Sequence, residues 1–319
     1  MIDEARLEAA VGGAAILITG GAGFIGSHLA RRLVELGAAV RVIDDLSTGR
    51  AENLPLQSVE LIEASILDVP ALHRAMDGCR LLFHEAAMVS VPRSVREPLK
   101  CAEINITGTE RLLEAARDAG VRRVVFASSA AVYGDEPKLP SHEDDPIVCC
   151  SPYAASKAAG EALMTAFSRC YGLSTVSLRY FNIFGPRQDP NSPYAAAIAA
   201  FVEALTGGRR LTIFGDGRQT RDFTPVANVV WANLLAAVCE DELHGEVLNI
   251  GTGRPINLLE VLAEMGRQLG VKPSPRRAPP RAGDVRDSTA EITRARAVIG
   301  YEPQIDFPTG LAELLEAGR

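Results

Sequence analysis

ITGGAGFIGSHL, residues 18–29, decides the fold. An aliphatic, β-branched run, AAILITG (14–20), leads into it, and an amphipathic helical pattern over 24–36 leads out. Gly20, Gly23 and Gly26 therefore stand in a turn between a strand and a helix, with Phe24 and Ile25 as the first helical residues. Glycine lets the chain turn tightly and lets a phosphate approach the backbone, and a helix start offers N–H groups without an intrahelical partner. A glycine trio alone is a weak signal. The strand before it, the helix after it and an acid at the end of the next strand, Asp44 in AVRVID (39–44), strengthen it. A carboxylate there accepts from both hydroxyls of a ribose and repels a 2′-phosphate, which favours NAD over NADP. An aspartate at a strand end also serves as an ordinary turn or cap residue.

The same texture continues outward. VELIE (59–63), RLLFHEAA (80–87), RRVVFASS (122–129) and LSTVSLRYFN (173–182) read as strands, and 70–77, 101–119 and 152–171 as helices. Continuously apolar strands alternating with helices predict an α/β fold, a doubly wound parallel Rossmann sheet. After FNIFGP the chain turns rich in turn formers, GPRQDPNSPYA (185–195), and a Pro-rich passage follows at 273–283. The expected organisation is a dinucleotide-binding domain over 14–182, to which about 225–252 returns, and a smaller C-terminal α/β substrate lobe over 183–319. Residues 1–13 read as a frayed helix.

The 319 residues carry a net charge of −7, which argues against nucleic acid as the main partner. No apolar run is long enough to span a membrane, and the acidic N-terminus lacks the apolar core of a secretory signal. The six cysteines show no CxxC spacing and the five histidines are scattered, so a reduced, cytoplasmic protein without a metal centre is expected.

SPYAASKAAGE places Tyr153 and Lys157 at i and i+4, on one helical face, with Pro152 where a helix begins. An ammonium beside a phenol favours the phenolate and would lower the Tyr153 pKa toward acid–base use near neutral pH. Alone, the pair is also what an ordinary surface helix carries.

Together with Gly20, Gly23, Gly26, Asp44, Asn105 in EINITGT and Ser129 in FASSAAVYG, these residues resemble the extended short-chain dehydrogenase/reductases, the NAD-dependent epimerase/dehydratase family, over nearly the whole chain. The resemblance implies Ser129, Tyr153 and Lys157 as catalytic residues, NAD as cofactor, and FHEAA (83–87), with Ala86 and Ala87, beside the nicotinamide. Ser65 and Ile66 take the adenine-side position, although relatives usually have an aspartate where Ser65 stands. Glu85 replaces a common leucine.

Dehydratases of this family resemble TDEVYG after the catalytic Ser or Thr, and the related decarboxylases keep a glutamate before VYG. Here Ala130 and Ala131 hold those places, and alanine has no proton to give or take. The resemblance thus implies oxidation and re-reduction at one carbon. Tyr153 and Ser129 would handle the proton of a sugar C4 hydroxyl, with a transient 4-keto sugar re-reduced on its other face by the retained NADH. A net oxidoreductase on a nucleotide-sugar and a non-catalytic NAD-sensing scaffold are the alternatives.

For the substrate, the family pattern implies Asn182 in LRYFNIFGPRQDP, Arg221 and Arg281 at a diphosphate, Asp284 at the nucleotide ribose and Phe214 against the base. Ser90, Ser129, Gln188, Ala196 and Ser288 complete the implied sugar site. Small Ser288 leaves room for an N-acetyl group, but Val89 and Ala130 replace the Gly and Ser of N-acetyl-preferring relatives. UDP-glucose/UDP-galactose is expected, with the N-acetylhexosamine pair open. Helices 101–119 and 152–171 carry small apolar faces, and the resemblance implies that they pair two subunits in a homodimer.

Overall fold

The strand–turn–helix around the glycines forms as its pattern dictates. In the computed structural model, which describes residues 4–189, 196–279 and 285–318, helix α1 (Glu4–Val11) leads into β1 (Ala15–Thr19). Helix α2 (Phe24–Glu35) follows directly, with Gly23 as its N-cap. The remaining strands of the main sheet are β2 (Ala39–Asp44), β3 (Val59–Glu63), β4 (Leu81–His84), β5 (Arg123–Ser129), β6 (Ser174–Tyr180) and a seventh, His244–Ile250.

These seven strands are parallel and lie in the order seventh strand, β6, β5, β4, β1, β2, β3. Chain order reverses between β1 and β4, so a crevice opens beyond their C-terminal ends, where Gly20 and Glu85 emerge. The inner strands β1 and β4 are apolar and almost wholly buried because both sheet faces are covered there. On one face Ile16, Ile18, Phe83 and Val125 pack with Leu29 and Leu33 of α2. On the other, Leu17, Leu82 and Phe126 pack with Leu72, Leu112 and Met164.

The other helices are α3 (Val69–Met76), α4 (Val91–Arg96), α5 (Pro98–Ala102), α6 (Gly108–Asp118), α7 (Pro152–Tyr171), α8 (Ala196–Thr206), α9 (Val226–Val238), α10 (Leu258–Leu269), α11 (Thr293–Ile299) and α12 (Phe307–Ala317). One expected element differs. The helix expected over 101–119 is interrupted by a π-helical turn, Glu103–Thr107, between α5 and α6. The wider turn presents Asn105 inward, 3% exposed, where its amide finds partners on two other elements.

Helix α9 and the seventh strand return to the large sheet: Val229, Leu234, Leu248 and Ile250 belong to its first core. Ala295 and Ile299 of α11, with Tyr301, join that first core as well, and a separate core forms from Phe184, Ile213, Phe223, Leu262 and Phe307. Short strand pairs knit this lobe, including Thr212–Phe214 with Arg276–Ala278 and Thr220–Arg221 with Ile256–Asn257. Among the described residues no helix is long and apolar enough to cross a membrane.

Candidate active site

The glycine turn is a cradle with little room for side chains. Gly20 has φ +67°, and a Cβ there would lie 2.7 Å from the backbone of Ala86 on the neighbouring strand end. A Cβ on Gly26 would lie 2.4 Å from the Gly20 carbonyl oxygen. Gly23 caps α2 with no side-chain hydrogen bond among the described residues, so the first turn of α2 keeps N–H groups that a ligand can take. Asp44 closes the far side. Its Oδ2 accepts from Ala22 N and its Oδ1 from Leu46 N, each at 2.9 Å, which leaves each oxygen a further lone pair. Burial raises the Asp44 pKa, and the two N–H donors oppose that. A cavity beside it is lined by Leu46, Gly49, Arg50 and Asn53. This donor and acceptor set fits a dinucleotide, with its pyrophosphate on the helix start and a ribose on Asp44. Ser65 accepts from Leu67 N at 3.2 Å, and Ile66 is buried against Gly108.

Ser129 ends β5 and Tyr153 begins α7. Helix α7 starts there because Ser151 accepts from Ala154 N at 3.1 Å and Pro152 supplies the first helical φ. Below the site, Glu161 accepts from Ser128 Oγ at 2.5 Å and from Arg179 at 2.8 Å through each oxygen, which fixes α7 against β5 and β6. The Tyr153 hydroxyl and Ser129 are hydrogen-bonded. Lys157 Nζ donates to the Ala127 carbonyl at 2.6 Å and stands 5.9 Å from the Tyr153 ring centroid.

The electrostatics correct one expectation. Burial pushes the Tyr153 phenol up to about 12, and it is the Ser129 hydrogen bond that opposes this. Burial also brings Lys157 down to about 8, with Glu85 opposing. The lysine is tied to the strand carbonyl, and desolvation penalises its ammonium, so in the protein alone it does not bring the phenol toward neutrality.

Of the residues that position this cluster, Ser90 and Asn105 were singled out in the sequence and Ser94 was not. Ser94 is fully buried; its Oγ accepts from Tyr153 N at 3.1 Å and donates to Val91 O at 2.8 Å. Ser90 caps α4, accepting from Arg93 N at 3.2 Å. Asn105 accepts from Met88 N at 2.7 Å and donates to Met88 O at 3.1 Å and to Ser156 Oγ at 2.9 Å. Both of its amide protons are engaged and its Oδ1 keeps one further lone pair, so it braces the loop that bears Ala86 and Ala87. Ala86 N also donates to Thr19 Oγ1 at 3.2 Å. The signal available for Ser94 was VPRS, whose serine looks like any polar helical residue until the fold brings α4 to α7.

At the substrate end the structure brings Asn182 and Ser288 together: Asn182, at φ +32°, donates to Ser288 Oγ at 3.3 Å. Gln188 donates to Ile183 O at 2.9 Å, and its buried Oε1 has no partner among the described residues. Arg221 donates to the carbonyls of Thr220 and Arg286 at 2.8 and 2.9 Å. Phe214 is half-buried at the end of its short strand. Arg281 and Asp284 lie outside the described residues, and Ala196 opens α8 with its side-chain surroundings outside them too. Two further contacts join this end to the dinucleotide cradle: Arg187 donates to Ser27 Oγ at 3.0 Å, and His28 donates to Pro186 O at 2.9 Å. No group of three or more potential metal ligands occurs among the described residues.

The model of the NAD dependent epimerase/dehydratase family matches residues 16–251. A UDP-glucose 4-epimerase of Mycolicibacterium smegmatis is 42% identical over 306 residues, covering 94% of this chain and 97% of the relative. The crystal structure of a UDP-glucose 4-epimerase from Thermotoga maritima, with UDP-glucose, superposes with a TM-score of 0.90 at 40% identity, covering 96% and 98% of the two chains. A UDP-N-acetylglucosamine 4-epimerase from Methanobrevibacter ruminantium, in complex with UDP-N-acetylmuramic acid, gives a TM-score of 0.91 at 36% identity, covering 97% and 99%. With a Rossmann sheet, a glycine cradle and a Ser129–Tyr153–Lys157 cluster at its crevice, the chain belongs to the NAD-dependent epimerase/dehydratase family.

Proposed function

We propose that this protein inverts C4 of a UDP-hexose, using NAD held in the crevice. The observation that carries the proposal is the contrast at the end of β5. Ser129 is hydrogen-bonded to Tyr153, while the next two residues, Ala130 and Ala131, begin a 3₁₀ turn with no acid or base between them. An elimination or decarboxylation would need such a group; inversion at one carbon does not.

Asp44 would hold the adenosine ribose, and the turn Gly20–Gly26 with Phe24 and Ile25 the pyrophosphate. When bound, NAD supplies a reversible hydride acceptor, through which C4 passes as a ketone. The protein's own groups manage the proton. Tyr153 Oη takes it from the C4 hydroxyl, and Ser129 Oγ holds the same oxygen in line. Lys157, anchored on Ala127, keeps a positive charge next to the phenol when protonated. After the sugar turns over in the cleft, Tyr153 returns the proton to the oxygen on the opposite face. Asn182, Ser288, Gln188, Phe214 and Arg221 would bind the nucleotide-sugar, with Ser90, Ala196, Arg281 and Asp284 completing that set. This assigns cofactor binding to 14–182 with α9 and the seventh strand, and substrate binding mainly to 183–319. UDP-glucose/UDP-galactose is the proposed pair, and the small Ser288 admits the N-acetylhexosamines as well. Six free thiols support a cytoplasmic setting, and the apolar face of α7 supports a homodimer.

The test is incubation with UDP-glucose and, separately, UDP-N-acetylglucosamine, without added reductant, followed by chromatographic separation. The expected result is a C4 epimer with no net NADH, and a fall of roughly 10² or more in turnover for Tyr153→Phe with sugar binding retained. Stoichiometric NADH would instead identify a net oxidoreductase. No conversion of either sugar would overturn the proposal.

A further inference from the structure

Glu85 follows β4 directly and enters the same crevice. Its N–H donates to Thr19 O at 3.2 Å, and its backbone lies against the cradle: a Cβ on Gly20 would be 3.0 Å from the Glu85 carbonyl carbon. The side chain is half-buried and held from two further elements. Tyr180 at the end of β6 donates its hydroxyl to Glu85 Oε1 at 2.9 Å. Asn233 of α9, fully buried, donates to the Tyr180 oxygen at 2.8 Å and to Val229 O at 2.9 Å. A carboxylate acting as a mere spacer needs no such chain of donors. A leucine would fill the same space without desolvating a charge.

The groups that sense it lie on α7. Lys157 and Tyr153 both do: the β4–β5 register pairs His84 with Phe126, which sets Glu85 beside Ala127, whose carbonyl holds Lys157 Nζ, and a charge on Glu85 favours the ammonium and the neutral phenol. β6 contributes Tyr180, whose own phenol burial keeps neutral. Helix α9 contributes neutral Asn233. His84, next on the same strand, turns to Thr19 and Thr109 and is neutral. Cys101 and Glu161 also act on Lys157, from α5 and α7. Burial pushes the Glu85 carboxyl itself up to about 7, with Tyr180 and Lys157 opposing, so its charge changes near neutrality.

We propose that Glu85 is a positioning residue for the reaction: held by Tyr180 and Asn233 at the crevice edge, it is the counter-charge of Lys157 and holds the protons on Lys157 and Tyr153 alike. The proposal rests on Tyr153 and Lys157 serving the epimerisation proposed above. With Glu85 ionised, the ammonium persists and the phenolate is disfavoured. With Glu85 neutral, both groups release protons at lower pH.

The test is an ultraviolet titration of the Tyr153 phenolate in the NAD-loaded protein, isolated by subtracting Tyr153→Phe. In Glu85→Gln the phenolate should appear about one pH unit lower than in wild type, and the acidic limb of the kcat/KM profile should move the same way. Glu85→Asp, which keeps the charge, should restore the wild-type titration. Glu85→Leu is the second charge-free variant should the glutamine protein not fold. Titration of both charge-free variants at the wild-type pH would overturn the proposal. The titration needs no turnover, so absence of C4 epimerisation in wild type would sink the reaction and not the role of Glu85 in the proton balance.

Discussion

At the scale of single residues, the site is a set of buried groups whose protonation is decided by their neighbours. His84 shows how far this reaches. It is 1% exposed, between Thr19 Oγ1 at 2.8 Å from Nδ1 and Thr109 Oγ1 at 2.9 Å from Nε2. Thr109 already donates to Asn105 O at 2.7 Å, so it accepts from Nε2–H, and Nδ1 accepts from Thr19. A second ring proton would meet a donor, and burial brings the His84 pKa down to about 3 from 6.5, with Lys157 adding to the effect. The folded form thus favours neutral histidine. The stability this contributes is complete above pH 6.5 and is lost as the pH falls toward the folded value. Urea unfolding should show stability dropping by about 1.4 kcal/mol per pH unit below 6.5 from this group. His84→Gln should flatten that slope, and an unchanged slope would refute the assignment.

At the scale of elements, α7 and the π turn decide how the cluster is assembled. Asn105 ties the loop after β4 to Ser156 of α7. Replacing it with alanine strands the Met88 N–H and C=O, and each buried polar group left unpaired costs about 1–3 kcal/mol. Asn105→Ala should therefore lower the urea midpoint and shorten NAD retention on gel filtration, while Glu103→Ala on the same turn, exposed, should change neither. Asn105 also marks the limit of what the sequence made legible. The strands, α2 and α7 follow from local pattern, because periodicity and caps are written in neighbouring residues. Tyr153 and Lys157 are one turn apart and so visible together. The π turn is not visible, because its cause is a partner on another element. Ser94, Tyr180 and Asn233 were hidden for the same reason: each acquires its role from a residue 53 to 95 positions away. Glu85 stood out in the sequence as a departure, yet its meaning needed β6 and α9 beside it.

At the scale of the whole molecule, one surface calls for a partner. Along α7, Ala155, Ala162 and Ala166 are exposed and Ala159 is half-buried, a stripe without charge at helical spacing. Beside it α4 and α5 expose Val95 at 60% and Leu99 at 86%. Exposed apolar residues continuous over adjacent helices mark an association surface, and alanines let two helices approach closely. The same α7 carries Tyr153 and Lys157 on its opposite face, so pairing through the stripe would brace the catalytic helix without occluding the crevice. The proposed homodimer, with α7 and the π-interrupted helix against their equivalents in a second copy, would satisfy the surface by two-fold symmetry. Sedimentation equilibrium should give twice the chain mass of 34.0 kDa. Ala162→Arg puts a charge at the centre of the stripe, on the face away from Tyr153, and should shift the protein to monomer at micromolar concentration. A dimer that persists in Ala162→Arg and in Leu99→Glu would place the contact elsewhere. A monomeric wild type would leave the stripe without the role assigned to it. If the brace matters, the monomeric variant should also lose turnover in proportion to the fraction dissociated, with the UDP-sugar KM unchanged, because the residues proposed to hold the nucleotide lie outside α7.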